Sequence, residues 1–174
     1  GQAQTGTGKT AAFGLPMLQT LDFNGKQIKA LVLTPTRELA IQVTDALSAM
    51  AAEMPVKLLA IYGGQSYLIQ KRALERGVDI AVGTPGRILD LIRQKVLKLN
   101  VVRFMVVDEA DEMLNMGFKE DLDVILEQTP ETKNTWLFSA TMPREVDRIS
   151  KNYMNNPIEV SSGKRNEGAE NFKH

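Results

Sequence analysis

Short apolar runs recur along the chain and alternate with longer amphipathic stretches. The runs contain few polar positions, which is typical of strands in a parallel sheet that is covered on both faces. Six strands are predicted on this basis, at Ala30–Leu33, Leu58–Tyr62, Asp79–Val82, Phe104–Val107, Trp136–Phe138 and Ile158–Val160.

The stretches between these runs have the spacing of helices that bury one face. They predict helices at Lys9–Leu21, Arg37–Glu53, Ser66–Arg76, Gly86–Gln94, Lys119–Gln128 and Arg144–Met154. Pro143 suits the first position of the last helix, and Pro16 is expected to kink the first. The alternation of strands and helices predicts an α/β domain with a central parallel sheet, helices on both faces and right-handed crossovers.

Composition narrows the classes of function. The chain has 174 residues, of which 43% are hydrophobic, as expected for one globular domain with a substantial core. The formal net charge is zero, so any nucleic-acid contact must come from a local patch. The chain contains no cysteine, and its one histidine is His174, which argues against disulfides, thiolate metal sites and a Ser-His-Asp triad. No apolar run is long enough to span a membrane, and we expect a cytoplasmic protein.

The two ends of the chain differ from the middle. Residues 1–160 are interpreted as the α/β domain, whose first strand is expected to be truncated to a stub at Gly1–Ala3. Residues 161–170 are polar and include two glycines, which indicates a linker. Residues 161–174 are therefore interpreted as a linker and the beginning of a further domain.

A glycine-rich segment, Gly6-Thr7-Gly8-Lys9-Thr10, precedes the first predicted helix. Glycines allow a tight turn in which several backbone N–H groups point at one anion, and the helix N-terminus adds a positive dipole. Lys9 then reaches the β- and γ-phosphates of a nucleotide, while the Thr10 hydroxyl binds Mg²⁺. The alternative is a glycine-rich turn without a ligand.

Acidic residues follow the strand that ends at Val107. Ligands of α/β sheets bind beyond the carboxyl ends of the strands, so Asp108 is suited to hold Mg²⁺ and Glu109 to orient a water molecule. The alternative is a solvated acidic helix start. Ser139 and Thr141 follow the next strand and could bond to the acidic loop, although such hydroxyls before a helix are more often an N-cap.

Three further loops leave strands at the same edge of the sheet. They are Pro35-Thr36-Arg37-Glu38-Leu39-Ala40, Gly63-Gly64 and Thr84-Pro85-Gly86-Arg87. Their hydroxyls, N–H groups and arginines are groups that bind a phosphate backbone. Turn and cap chemistry explains each glycine, proline and threonine on its own. Arg37 and Arg87 are the residues that this alternative explains least well.

The combination of these segments resembles the DEAD-box RNA helicases. The segment from Ala3 to Thr10 resembles their motif I, Pro35–Ala40 the PTRELA motif, and Asp108–Asp111 the tetrad after which the family is named. Gly63-Gly64 is similar to the GG motif, Thr84–Arg87 to TPGR, and Ser139–Thr141 to SAT. All of these occur in the order of the family.

The resemblance implies a RecA-like P-loop domain that uses ATP and Mg²⁺ to bind RNA and open short duplexes. It implies nucleotide contacts from Thr5, Gly6, Thr7, Gly8, Lys9 and Thr10, and Mg²⁺ contacts from Thr10 and Asp108. Lys9, Asp108 and Glu109 would be catalytic, and Asp111, Ser139 and Thr141 would couple hydrolysis to duplex opening. RNA backbone contacts would come from Pro35, Thr36, Arg37, Gly63, Gly64, Thr84, Pro85, Gly86 and Arg87.

The resemblance also implies partners for this chain. The family has an adenine-reading Q motif before motif I and a second RecA-like domain that supplies arginine fingers. Neither is in this sequence, so we expect the chain alone to bind nucleotide weakly, to hydrolyse it barely and not to unwind RNA. A monomer that contacts no membrane is expected.

Two other classes of function remain as alternatives. A different phosphate-loop ATPase, such as a DNA translocase, would be stimulated by DNA instead of RNA. A non-catalytic module would bind RNA through the three loops with an affinity that Lys9→Ala leaves unchanged.

Overall fold

The computed structural model describes the backbone at residues 2–24, 26–154 and 159–160, and the side chains at residues 8–24 and 26–154. Six strands lie within these ranges: β1 Ala30–Leu33, β2 Leu58–Ile61, β3 Ile80–Gly83, β4 Phe104–Val107, β5 Asn134–Phe138 and β6 Glu159–Val160. They form one parallel sheet in the order β2-β3-β1-β4-β5-β6. The six predicted strands are confirmed, while Ile158 and the predicted linker lie outside the described residues.

The helices are α1 Gln2–Thr20, α2 Arg37–Met50, α3 Tyr67–Arg76, α4 Pro85–Arg93, α5 Ala110–Asn115, α6 Lys119–Glu127 and α7 Arg144–Tyr153. Pro143 is the N-cap of α7 and not its first helical residue. α1 continues past Pro16 to Thr20. The short helix α5 was not predicted, because six residues are too few to show a helical period.

The predicted start of the first helix near Lys9 is wrong. α1 begins at Gln2, so the glycine-containing segment is helical in this structure and the predicted strand stub at Gly1–Ala3 is not present in the described residues. A phosphate loop normally has a sheet strand before it that holds its first residues in place. In this structure the segment is helical, and intrahelical hydrogen bonds satisfy the backbone N–H groups of residues 6–8 instead.

Two apolar layers cover the sheet, one on each face. Successive residues of a strand point to opposite faces, and in β1 Leu31 and Leu33 pack in one layer while Ala30 and Val32 pack in the other. The helices α1 and α2 cover the second face, and α4 to α7 cover the first. All four residues of β1 are fully buried, which explains why its sequence shows no alternation.

The pairing register brings the carboxyl ends of the strands to one level. Leu33 is opposite both Gly83 and Val107, Gly83 is opposite Ile61, and Val107 is opposite Leu137. The loops that follow β1 to β5 therefore leave from a single edge of the sheet. Within the part of the chain that the structure describes, no helix combines the length and apolar character that a membrane span needs.

We expect Gly83→Ala to destabilise the domain. A Cβ atom at this position would lie 2.4 Å from the Ile61 carbonyl oxygen and 2.9 Å from Ile88 Cδ1. Because the nearer atom is backbone of the paired strand, the sheet itself must shift, and we expect a loss of about 3 kcal/mol in the free energy of unfolding. Urea denaturation followed by circular dichroism measures this difference.

Gly86→Ala, three residues further, is the matched control. An added Cβ at Gly86 meets nothing within 4 Å. The alanine lies in the first turn of α4, where it is expected to be neutral or to stabilise by up to about 1 kcal/mol. Equal unfolding midpoints for the two variants would contradict the close strand packing described above.

Candidate functional site at the carboxyl edge of the sheet

A buried carboxylate lies immediately after β4. The Asp108 side chain is 1% exposed, and its backbone N–H donates to the Leu33 carbonyl oxygen at 2.9 Å. Lys9 Nζ lies 2.9 Å from Asp108 Oδ1 and forms an ion pair with it. Oδ1 accepts no hydrogen bond of normal geometry from a described residue. Burial raises the pKa of Asp108 above its usual value, although the Lys9 ammonium partly offsets this effect.

The next residue, Glu109, has a strained backbone. Its φ of 54° and ψ of 53° lie in the left-handed region, which residues other than glycine rarely adopt. It is the N-cap of α5, but its side chain makes no capping hydrogen bond. Burial and the neighbouring Asp108 charge both raise the pKa of the Glu109 carboxyl. Strain of this kind is concentrated at functional sites.

In the predicted nucleotide-binding segment, the structure describes Gly8 and the side chains of Lys9 and Thr10. Lys9 is 19% exposed and pairs with Asp108, and Thr10 is 3% exposed. Gly8 is exposed. Thr5, Gly6 and Thr7 belong to the first turns of α1, and their side chains lie outside the described residues. The structure therefore brings Lys9 to the acidic loop, whereas the nucleotide contacts of residues 5–8 stay a prediction.

A hydrogen-bond network joins the loop after β4 to the loop after β5. Thr141 donates to Asp111 Oδ2 twice, from its hydroxyl at 2.8 Å and from its backbone N–H at 3.0 Å. The Asp111 N–H donates to Ser139 Oγ at 3.2 Å, and Ser139 Oγ donates to the Thr141 carbonyl at 2.6 Å. Burial alone would raise the pKa of Asp111, but the hydrogen bonds from Thr141 outweigh it and the pKa is lowered.

Helix capping explains one of the two threonines that follow β1 and β3. Thr36 is the N-cap of α2, and its hydroxyl accepts from the Leu39 N–H at 3.1 Å. Thr84 is the N-cap of α4, but its side chain makes no capping hydrogen bond. Pro35 and Pro85 are buried, so neither presents a surface to a ligand in this structure. A capping role therefore explains Thr36 and leaves the Thr84 hydroxyl unexplained.

Arg37 is exposed and packs over the loop after β2. Its guanidinium carbon lies 5.5 Å from the centre of the Tyr62 ring, which is a cation–π distance. Gly64 has φ of 86°, and a Cβ there would come within 3.3 Å of Arg37 Nη1. The glycine therefore permits both the turn and the close approach of the arginine. The contact with Tyr62 was not predicted, because nothing in the spacing of Arg37 and Tyr62 relates the two residues.

Arg87 is held by the same loop. Its Nη1 donates to the Gln65 carbonyl at 3.1 Å and to Gln70 Oε1 at 2.9 Å. Gln70 is fully buried and was also missed by the sequence analysis. Its position gives a signal in retrospect, because it lies between Tyr67 and Leu74 at helical spacing on a face that packs against the core. A glutamine on the apolar face of a helix indicates a specific polar partner.

Comparison with known proteins identifies the family. The model of the DEAD/DEAH box helicase family matches residues 1–149. The chain belongs to this family. It is 53% identical over 160 residues to the RNA helicase CrhR of Synechocystis and 55% identical over 160 residues to the DEAD-box ATP-dependent RNA helicase CshA of Bacillus cereus.

These alignments cover 92% of this chain in both cases but only 32% of the first relative and 30% of the second. The chain thus spans about a third of the length of the curated relatives that it matches. A crystal structure of a DEAD box protein from Methanococcus jannaschii superposes with a TM-score of 0.85 at 45% identity, over 91% of this chain and 43% of that one. The predicted RecA-like α/β fold is confirmed by this DEAD/DEAH box helicase neighbour.

We expect Thr141→Val to raise the pKa of Asp111 and to destabilise the domain at neutral pH. A depressed folded-state pKa stabilises the protein above the unfolded pKa of about 3.9, and this contribution is lost as the pH falls through the lower folded pKa. Removal of the hydroxyl donor should therefore cost about 1 kcal/mol at pH 7 and less near pH 2. NMR titration of the Asp111 carboxyl and urea unfolding at both pH values measure these effects.

Thr135→Val in β5 is the matched control for this substitution. The Thr135 hydroxyl oxygen is buried without a hydrogen-bond partner among the described residues. The same change should leave the pKa of Asp111 unaltered and should keep or increase stability, since no hydrogen bond is lost. An Asp111 pKa that is unchanged in Thr141→Val would contradict the assigned network.

We expect Glu109→Gly to stabilise the domain while it removes a candidate catalytic group. Glycine adopts φ of 54° without the steric cost that glutamate bears, and we expect a gain of up to about 1 kcal/mol in the free energy of unfolding. Lys95→Gly is the control, because Lys95 has φ of 62° in the loop after α4, remote from the acidic residues. The midpoint of thermal unfolding should increase for both variants. A decrease for Glu109→Gly alone would show that the Glu109 side chain holds the loop in place.

Proposed function

We propose that this chain is the nucleotide-binding part of an ATP-dependent RNA helicase, in which RNA-stimulated ATP hydrolysis drives local opening of RNA duplexes. The observation that carries the proposal is the division of the carboxyl edge of the sheet into two neighbouring halves. The loops after β4 and β5 supply the acidic residues and hydroxyls. The loops after β1, β2 and β3 supply exposed backbone and two arginines.

The acidic half is suited to phosphoryl transfer. Lys9 contacts the β- and γ-phosphates of ATP in this proposal, since it already lies beside the acidic loop. Glu109 orients the attacking water, and its raised pKa favours a role in proton transfer. Because the N–H groups of residues 6–8 are within a helix in α1, their use as a phosphate cradle requires the first turns of α1 to unwind.

The same half has the chemistry for Mg²⁺. Asp108 Oδ1 is buried and faces the Lys9 ammonium at 2.9 Å, and a buried carboxylate oxygen that pairs with a cation suits Mg²⁺ once Lys9 turns to the phosphates. Asp108 and Thr10 would hold the ion together with the phosphates of the nucleotide. When bound, Mg²⁺ neutralises charge that develops on the phosphate oxygens. Asp111, Ser139 and Thr141 would report the state of this site to the RNA-binding half through their hydrogen bonds.

The other half is suited to a phosphate backbone without base recognition. Arg37 and the Gly63–Gly64 turn are exposed, and Arg87 and Thr84 are half-buried beside them. Arginine and backbone N–H groups bind phosphate irrespective of sequence. We therefore propose that the RNA backbone is contacted by Thr36, Arg37, Gly63, Gly64, Thr84, Gly86 and Arg87. The buried Pro35 and Pro85 would support these loops from the side of the core.

The proposal includes partners beyond this chain. The relatives named as RNA helicases are about three times as long, and a second RecA-like domain that supplies arginine fingers would complete the site. The proposal also takes the protein to be monomeric and cytoplasmic, as the sequence analysis expects. The chain alone would then bind nucleotide weakly and turn it over slowly.

The test is ATP hydrolysis by the full-length protein, in which this chain is joined to the further segments that its relatives contain, with and without single-stranded RNA. We expect RNA to stimulate turnover and Glu109→Gln to lower kcat by at least about 100-fold, because the group that orients water is lost. Glu112→Gln, a change of the same type at an exposed residue of α5, should stay within about twofold of the wild type.

The other classes of function give different results. Stimulation by DNA and not by RNA would assign the protein to another phosphate-loop class. RNA binding without turnover, unchanged by Lys9→Ala, would favour a non-catalytic module. Equal loss of activity in Glu109→Gln and Glu112→Gln would contradict the role proposed for Glu109.

A further inference from the structure

Gln70 is a buried amide with partners on two loops. The side chain of this α3 residue is fully buried. Its Nε2 donates to the Tyr62 carbonyl at 3.1 Å and to Gln65 Oε1 at 2.5 Å, while its Oε1 accepts from Arg87 Nη1 at 2.9 Å. Both amide hydrogens are therefore in use. A residue that only packs α3 against the core would be apolar, because a buried amide is unfavourable unless it is hydrogen-bonded.

These bonds fix the orientation of Arg87. A guanidinium has five N–H donors in one plane. The two hydrogens on Nη1 are taken by Gln70 Oε1 and the Gln65 carbonyl. The three donors on Nε and Nη2 have no hydrogen-bond partner among the described residues, and they form an edge of the type that binds a phosphate with two parallel bonds. Because Nη1 is anchored, Nε and Nη2 are the donors of Arg87 that a phosphate could use.

The same amide fixes the loop between β2 and α3. The Tyr62 carbonyl and the Gln65 side chain flank Gly63 and Gly64, and both are bonded to Gln70. Because the Tyr62 ring lies under the Arg37 guanidinium, the position of this loop also determines the surface on which Arg37 rests. One buried side chain thus determines the orientation of Arg87, the position of the Gly63–Gly64 turn and the surface under Arg37.

We propose that Gln70 is a positioning residue for RNA-phosphate binding, which acts by anchoring Arg87 Nη1 and the loop from Tyr62 to Gln65. This inference rests on the proposed function, since it presumes that these loops bind RNA. Gln70 itself does not contact RNA. Its loss should weaken RNA binding without affecting the nucleotide site on the other half of the sheet edge.

The test measures the affinity of the full-length protein for a labelled single-stranded RNA at several salt concentrations. Gln70→Met should weaken binding about tenfold, as expected when a hydrogen bond to a charged group is lost. It should also reduce the slope of log affinity against log salt by about one phosphate contact, as is expected of Arg87→Ala. A loss of packing alone would not change this slope. The affinity for ATP in the absence of RNA should stay at the wild-type value.

Gln94→Met is the matched control. The side chain of Gln94 also links α3 to the α4 region, through a hydrogen bond from Tyr67, but it lies at the end of α4 remote from Arg87. The same substitution should leave both the RNA affinity and the salt slope unchanged. A loss equal to that of Gln70→Met would overturn the proposal, because it would attribute the effect to helix packing in general.

A double-mutant cycle decides whether Gln70 acts through Arg87. In the Arg87→Ala background, Gln70→Met should leave the salt slope unchanged and cost less affinity than in the wild type. Full additivity would overturn the proposal. If Gln70→Met does not fold, Gln70→Glu replaces it, since the carboxylate still accepts from Arg87 but no longer donates to the Tyr62 carbonyl. That variant should bind RNA about threefold more weakly or worse, and wild-type affinity would overturn the proposal.

Failure of this inference and failure of the proposed function are distinguishable. If RNA stimulates the wild-type protein and the Gln70→Met variant binds RNA as tightly as the wild type, only the positioning role of Gln70 is disproved. If the ATP turnover of the wild-type protein does not respond to RNA, both the proposed function and the positioning role are disproved.

Discussion

The parallel register of the central strands is the constraint on which the candidate site depends. β1 pairs with β3 on one side and β4 on the other, so that Leu33 is level with Gly83 and Val107. A slip of one residue would turn every side chain of a strand to the opposite face and would mix the two apolar layers. Because both layers are closely packed, the register is fixed, and with it the position of each loop at the carboxyl edge. The Gly83 contact with Ile61 shows how little space the pairing leaves.

The surroundings of three acidic residues that are close in sequence shift their pKa values in different directions. Burial raises the pKa of Asp108 and of Glu109, whereas donors from the loop after β5 lower the pKa of Asp111. The difference follows from position and not from residue type, since Asp108 and Asp111 are both aspartates. Asp108 ends a buried strand, and Asp111 lies one helical turn further, where Thr141 can reach it. In the proposed function, one short segment would therefore supply a cation ligand, a group that orients water and a carboxylate that bonds to the loop after β5.

The strands were predictable from sequence because burial on both faces leaves a simple signal, an apolar run such as Ala30–Leu33. The placement of the loops at one edge of the sheet followed from general rules for parallel sheets, whereas the order of the strands was not predicted. Features that depend on tertiary contact could not be predicted from sequence: the left-handed backbone of Glu109, the cation–π contact of Arg37 with Tyr62, and the bonds of Gln70. The start of α1 was missed for a related reason, since the conformation of its first residues depends on whether a neighbouring strand holds them.

The two halves of the site are joined by backbone hydrogen bonds that continue the sheet by one residue. The Asp108 N–H donates to Leu33, and the N–H groups of Thr34 and Thr84 donate to the carbonyls of Gly83 and Ile61. These bonds hold the residues that begin the loops at a fixed spacing. A change in the distance between the halves at this level would break several sheet hydrogen bonds at once, so we do not expect one. In the proposed function, communication between the halves would instead involve groups beyond this row, such as Glu109 with its left-handed backbone and the partly exposed bonds of Asp111.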